Sequence, residues 1–464
     1  MPSGRFPSGL AYAAMVAAAV GVFALVRNVG EGLTAPPGDA ALDTLTAPPG
    51  PDALLHVLIT LTVVLVLGRL LGKLLAVVRQ PPVIGEVLAG IMLGPSLLGR
   101  MSPGLSEAIL PPPVAPTLAV VAEVSIILYM FVIGLGLHVD RLRGRARGVI
   151  ATSHASIVLP FTLGAILALY LYPRLSTSDV PFTIFALFMG VAMSITAFPV
   201  LARIVSDRGL TNTTLGSVAL ACAAADDATA WCLLALVVGA ARGSMEGALM
   251  VVILTLVFGG VMVGFVRPLA AAWAARVGNE PSRDAIAIAL AGLLVSALIA
   301  HRIGTHAIFG AFLFGAILPG NTPLARALEA KLHDLITILL LPAYFALTGM
   351  RTQIGLLTTP THWLICALII LVATAGKFGG GFAGARLTGA DTRTAASLGV
   401  LMNTRGLMEL IVLNIGHDLH VISPALFTMM VLMALVTTLA TTPILDSLVG
   451  SGVRYNRPAE LQER

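Results

Sequence analysis

Residues 217–240, SVALACAAADDATAWCLLALVVGA, decide the fold. The stretch is apolar for most of its length, and as a helix it is long enough to cross the roughly 30 Å hydrocarbon core of a bilayer. Two acids, Asp226 and Asp227, stand at its centre, about thirteen residues from either end of a span read over 213–240. On insertion scales a charge at that depth costs about 2.5–3.5 kcal/mol. The acids therefore face protein or a polar cavity. A purely structural, hydrogen-bonded pair is the plain alternative, but one Asn would do that work more cheaply. Neighbouring helix residues point about 100° apart, so the two carboxylates meet different neighbours and have different jobs.

The rest of the chain is of the same kind. Of its 464 residues, 57% are hydrophobic and 11% charged, with a mean hydropathy of +0.95. A soluble domain carries about 25% charged residues, so a water-soluble enzyme is excluded, as is a disordered or fibrous chain. The chain reads as an all-α polytopic membrane protein. Its thirteen spans lie at 54–78, 82–99, 117–138, 148–173, 182–206, 213–240, 246–268, 284–301, 304–319, 331–350, 361–388, 394–417 and 424–449. The net charge of +5 comes from 25 Arg and 3 Lys against 23 acids, and in such a chain it marks cytoplasmic loops rather than a nucleic-acid partner. If the chain enters the first of the thirteen spans from outside, nineteen basic residues flank the inner side and six the outer. That bias predicts a multi-pass protein of the inner (plasma) membrane with a cytoplasmic C-terminus.

That orientation needs the segment before residue 54 outside, so the apolar run within 1–27 must export it, as a signal peptide or as a retained fourteenth helix. Residues 28–53 form a Pro/Gly-rich extracytoplasmic linker in which LTAPPG occurs at 33–38 and again at 45–50; the composition predicts disorder. Residues 54–450 are the membrane domain and 451–464 a short cytoplasmic tail. Cys222, Cys232 and Cys366 sit in apolar stretches, with neither disulfide nor metal spacing, and read as core packing.

Spans starting at 148, 182 and 213 recur at 361, 394 and 424, at offsets of 213, 212 and 211. One trio begins inside and the other outside. Inverted repeats of this kind build many secondary transporters, with the binding site near the midplane at the repeat interface. The segments 148–240 and 361–449 are accordingly the expected core.

Lys377, one of three lysines, lies deep in the 361–388 span, about 13 Å or more from either helix end at 1.5 Å per residue. Snorkelling over that distance is awkward; a buried ammonium needs a carboxylate, and the repeat puts the Asp pair in the same bundle. Pairing with Asp226 leaves Asp227 to face a cavity, although the spacing alone permits the opposite assignment. Two spans carry helix breakers at corresponding depth: Ser194, Thr196 and Pro199 in 182–206, and Asn403, Thr404, Arg405 and Gly406 in 394–417. Such breaks free carbonyls and half-helix ends for ion coordination. Arg405 and Glu409, four apart on one face, read as a supporting salt bridge. Glu86 and Glu123 read equally as gates or interhelical hydrogen-bonding groups, and His301, His306 and His417, near outer ends, as plain interfacial residues ahead of a pH-sensing role.

These residues carry a resemblance. ALFMGVAMSITAFPVLARI (186–204), ADDATAWCLLAL (225–236) and LMNTRGLMELIVLNIG (401–416) are similar to signature segments of the monovalent cation:proton antiporter-2 family, particularly the membrane domain of plant cation/H⁺ exchangers. RQPPVIGEVLAGIMLGPSLLG (79–99) and GTHAIFGAFLFGAILP (304–319) fit the same pattern. The resemblance, over about residues 54–450, implies a homodimer with a sodium/proton antiporter fold, an elevator-like core and two broken, crossing helices. It implies that Asp227 binds the monovalent cation or a proton, that Asp226 pairs with Lys377, and that neither enzyme activity nor cofactor is involved. Three departures stand out. Gly134, Leu135 and Gly136 replace the GLE of many relatives; and with about fifteen residues after the last span, neither gating through a nucleotide-binding regulatory domain, as in the glutathione-gated potassium efflux systems, nor the long hydrophilic tail of plant relatives is expected of this chain. A cation channel and an intramembrane aspartyl protease are the rival classes. No TVGYG-like filter appears, adjacent acids diverge where a protease needs them to share a proton, and no HExxH or GxxxxGK[ST] motif is present.

Overall fold

The computed structural model describes residues 9–36, 53–78, 80–109, 111, 115–136, 146–210, 213–242 and 245–449. Among these residues every regular element is helical. The order begins with α1 (Gly9–Gly30), α2 (Ala53–Val77), α3 (Pro82–Leu93), the short α4 (Leu98–Met101) and α5 (Pro103–Ile109), α6 (Ala115–Leu135) and α7 (Ala146–Leu175). A broken helix follows, α8 (Phe182–Ser194) and α9 (Phe198–Asp207), then α10 (Thr214–Arg242). α11 (Met245–Val261) runs through a π-helical turn into α12 (Arg267–Arg276), followed by α13 (Arg283–Ile303) and α14 (Ala307–Ile317). α15 (Pro323–Leu335) likewise continues through a π turn into α16 (Leu341–Arg351). The chain closes with α17 (Pro360–Leu387), a second broken helix, α18 (Thr392–Met402) and α19 (Leu407–Asp418), and α20 (Pro424–Val449).

All thirteen expected spans are helical, and the N-terminal apolar run forms α1. Among the described residues twelve stretches are long and apolar enough to cross a bilayer, and α14 is a shorter apolar helix. Two boundaries moved for a physical reason. The 331–350 span begins at Pro323, where Thr322 accepts a hydrogen bond from the Ala325 amide and Pro323 occupies the first turn; the polar sequence ARALEAKLHD hid this start from a hydropathy reading. The 246–268 span likewise continues to Arg276.

The helices pack as two bodies. In the first, α7 lies along α17, α8 on α7, α18 on α17, and α10 and α20 close the sides. The α7–α17 contact is intimate: a Cβ on Gly380 would stand 2.4 Å from the Ala155 carbonyl oxygen. In the second body α3 crosses α16 and α6 crosses α14, again through glycine, since a Cβ on Gly90 would meet the Ala346 carbonyl oxygen at 2.1 Å.

The inverted repeat extends beyond the trio legible in the sequence. α7 with α8, α8 with α10 and α9 with α10 recur as α17 with α18, α18 with α20 and α19 with α20. In the second body α2 with α3 recurs as α13 with α14, and α3 with α16 as α14 with α6. The alternation of direction holds: Ser423 at the start of α20 donates to the Leu175 carbonyl at the end of α7, and Arg208 after α9 pairs with Asp446 near the other end of α20 at 2.7 Å. α1 belongs to the first body, with Phe23 against Phe161 of α7 at 5.9 Å. Cys222 and Cys366 are buried as expected, whereas Cys232 is exposed, because α10 turns that face out of the bundle. Most of the linker (37–52), the Arg141–Arg145 loop and the tail lie outside the described residues.

Candidate functional site

The two breaks have local causes. Pro199 at the start of α9 has no N–H, and its ring excludes the carbonyl four residues back, so Ile195 and Ala197 are extended between α8 and α9. In the second break Asn403 ends α18 and Gly406 precedes α19, with Gly406 packed so closely that a Cβ would meet Val200 Cγ2 at 2.7 Å. The breaks face each other. The Ala197 amide donates to the Thr404 carbonyl at 3.0 Å, and Thr196 Oγ1 lies 3.2 Å from the Met402 carbonyl oxygen.

α10 presents its acids to this crossing. Asp226 is saturated with partners. Its Oδ1 accepts from Ser153 Oγ at 2.5 Å, while Lys377 Nζ at 2.9 Å, Thr196 Oγ1 at 2.8 Å and Ser156 Oγ at 3.1 Å surround Oδ2. Lys377 also donates to the Ser156 carbonyl at 3.1 Å, and both members of the ion pair are sealed from solvent. Asp227 differs in kind. It is 1% exposed, yet neither carboxylate oxygen has a hydrogen-bond partner.

Arg405 holds the crossing together. Its guanidinium donates to the Ala192 carbonyl at 2.9 Å and the Met193 carbonyl at 2.7 Å, the last turn of α8, and to Glu409 Oε2 at 2.7 Å. A cation thus meets the negative end of one half-helix, and Glu409 sits in the first turn of α19, at that half-helix's positive end. Thr438 of α20 ties the break further, its hydroxyl donating to the Arg405 carbonyl at 2.5 Å. Asn403 Oδ1, Thr404 Oγ1 and Glu409 Oε1 are buried without hydrogen-bond partners.

Of the residues singled out in the sequence, Asp226, Lys377 and Thr196 meet directly, and Pro199, Asn403, Thr404, Arg405, Gly406 and Glu409 form the two breaks. Ser194 stays apart, its hydroxyl lying 2.7 Å from the Gly190 carbonyl oxygen and 3.1 Å from that of Ile157. Glu86 on α3 and Glu123 on α6 belong to the second body. Ser153 and Ser156, which hold Asp226, escaped notice; the polar run TSHAS at 152–156 inside an apolar span was the available signal. The grip of Arg405 on α8 had no sequence signal beyond the repeat itself.

Comparisons with known proteins bear on the family and the fold. Residues 58–448 match the sodium/hydrogen exchanger transmembrane family. The Na(+)/H(+) antiporter NhaS4 of Synechocystis sp. is 44% identical over 397 residues, 85% of this chain and 97% of that protein. Cation/H(+) antiporter 15 of Arabidopsis thaliana is 39% identical over 86% of this chain and 49% of its own length. K(+)/H(+) antiporter 1 of Saccharomyces cerevisiae is 33% identical over 80% and 44%, so the chain spans about half the length of these plant and yeast relatives. The solved structure of the sodium proton antiporter MjNhaP1 from Methanocaldococcus jannaschii shares the fold, with a TM-score of 0.63 at 15% identity over 86% of this chain and 98% of that one. With two crossing broken helices, an inverted repeat and a family match over most of its length, the chain belongs to the sodium/hydrogen exchanger family, whose members are membrane antiporters and not enzymes.

Proposed function

We propose that the chain is a secondary-active antiporter that exchanges H⁺ for Na⁺ or K⁺, with both ions competing for Asp227. One observation carries this reading. Among the described residues the crossing gathers three carboxylates and two cations; Asp226 pairs with Lys377 and Glu409 with Arg405, which leaves the Asp227 carboxylate there without a hydrogen-bond partner. An ionised carboxylate in that position demands one positive charge, and a single proton or a single monovalent cation supplies it. Occupancy by either excludes the other, which is the condition for exchange.

The first body carries the site and moves as an elevator against the second, so that Asp227 is reached from each side in turn. The active unit is a homodimer in the plasma membrane with its C-terminus cytoplasmic. Thr404 and Asn403, whose side-chain oxygens are unpartnered, supply neutral oxygens from the second break.

The test is proton efflux from acid-loaded proteoliposomes on addition of NaCl, KCl or choline chloride, the sodium arm repeated under a valinomycin-clamped voltage. Efflux with Na⁺ or K⁺ but not choline is expected, and it must disappear in Asp227→Asn protein. No response to either cation between pH 6 and 9 would overturn antiport and bring the channel reading forward. Voltage dependence would mean that the Lys377–Asp226 pair exchanges a second proton.

A further inference from the structure

The two bodies are joined by a polar cluster at one end of their interface. Arg351 is the last residue of α16, in the second body, and Asp418 the last residue of α19, in the first. Arg351 Nη1 lies 2.9 Å from Asp418 Oδ1 and donates to Asn414 Oδ1, also at 2.9 Å. Asn414, one turn earlier on α19, completes the cluster through its amide nitrogen, which reaches Thr348 Oγ1 at 2.8 Å and Tyr344 Oη at 3.3 Å on α16. The cluster lines a cleft whose other walls carry Glu123 of α6 and His306 at the start of α14.

Three physical features set this contact apart. Two helix C-termini converge there, and a guanidinium between them compensates both negative helix ends as well as the carboxylate of Asp418, which alone is unfavourable at a helix C-terminus. The side chains of Arg351 and Asp418 are 20% and 51% exposed, whereas those of Arg405 and Glu409 are 0%. A hydrated pair can part and re-form cheaply; a sealed one cannot. The groups that would part within this cluster are polar, so Asn414, Thr348 and Tyr344 can exchange each other for water without leaving orphaned groups. α19 also begins directly after Gly406 of the second break, so a shift of Asp418 relative to Arg351 is a shift of the helix that leaves that break.

We propose that Arg351, closing on Asn414 and Asp418, is the gate that holds the first body against the second on one side of the membrane and opens once in each transport cycle. In the orientation given by the arginine bias this is the outer side. The inference rests on the alternating-access reading above.

The test joins Arg351→Cys and Asp418→Cys in one protein and bridges them with a short, reducible bis-methanethiosulfonate, the single variants serving as controls. The bridged protein is expected to lose at least nine-tenths of its cation-driven proton efflux and to regain it on reduction. In parallel, Arg351→Gln is expected to lower the half-saturating cation concentration on the outer side at least threefold and to raise it on the inner side. The charge-swapped protein, Arg351→Asp with Asp418→Arg, is expected to return both towards wild type. The gate is overturned if no bridge forms, if bridged protein exchanges at the unbridged rate, or if Arg351→Gln moves both sides alike. Absence of exchange in wild-type protein would instead overturn the antiport reading, so the two failures are distinguishable.

Discussion

Lys377 Nζ lies 2.9 Å from Asp226 Oδ2, with both side chains sealed from solvent. The pair joins α17 to α10, one helix from each half of the inverted repeat, and so fastens the halves at the depth of the proposed ion site. Removing one partner of a buried pair leaves an uncompensated charge, at a cost of about 3–5 kcal/mol, whereas replacing both by neutral groups of similar size is often close to neutral. Lys377→Ala is therefore expected to lower the thermal midpoint in detergent sharply, and Asp226→Asn with Lys377→Met to recover most of the loss. Equal instability of the single and double variants would show that packing, not charge, is what the pair supplies.

Asp227 makes the opposite prediction, because it offers the fold no hydrogen bond to lose. Asp227→Asn is expected to keep or raise the thermal midpoint while abolishing exchange. A ligand that binds only the folded state raises stability by about 2.7 kcal/mol at one hundred times its Kd. Wild-type protein is thus expected to gain stability in NaCl or KCl relative to choline chloride, and the variant to gain none. A fall in the midpoint of Asp227→Asn with no salt added would mean that this carboxylate has a structural partner.

Arg405 holds two carbonyls of α8 and the Glu409 carboxylate with one planar fork. Lysine keeps the charge but cannot span that arrangement. Losing a hydrogen bond to a charged group costs about 1.5–3 kcal/mol, so Arg405→Lys is expected to destabilise by that order and to loosen the crossing. The readout is faster hydrogen exchange at the last turn of α8 relative to α13, which lies in the other body and serves as the internal reference.

Asp391 caps α18 outside the membrane. Hydrogen bonds from the Thr394 side chain and amide, and from the Arg393 amide, hold its carboxyl below the usual range. A carboxyl depressed on folding stabilises above its unfolded pKa of about 3.9 and loses that contribution as the pH falls through its folded value. Asn caps equally well without titrating. The difference in thermal midpoint between wild type and Asp391→Asn is therefore expected to turn against wild type only below about pH 4; a difference independent of pH would refute the titrating cap.

Much of this molecule was legible because a bilayer enforces simple rules. Long apolar runs must be helices, and a charge at mid-depth must have a reason, so Asp226, Asp227 and Lys377 stood out before any geometry was known. Pro199 and Gly406 marked the breaks for equally local reasons. What the sequence hid is lateral. Ser153 and Ser156 are unremarkable hydroxyls until α7 is placed beside α10, and nothing about Arg405 announces that its partners are carbonyls over two hundred positions away. The polar start of α15 was hidden too, because hydropathy cannot see a helix that leaves the membrane.

The glycine row on α17 couples that lateral packing to the proposed ion site. At Gly380 a Cβ would meet the Ala155 carbonyl oxygen at 2.4 Å, and backbone cannot yield as a flexible side chain does. Ala155 lies between Ser153 and Ser156, so the α7 segment forced away from α17 is the one whose hydroxyls hold Asp226. Overpacking of this kind costs about 1–3 kcal/mol. Gly380→Ala is expected to lower the thermal midpoint accordingly and to depress exchange more than its stability loss explains. Gly259 on α11 is the matched control, with nothing within 4 Å of its would-be Cβ; there alanine is expected to be neutral or slightly stabilising, since it is the better helix former by about 1 kcal/mol. Should Gly380→Ala and Gly259→Ala behave alike in midpoint and in exchange, the close α7–α17 contact is not what positions Asp226.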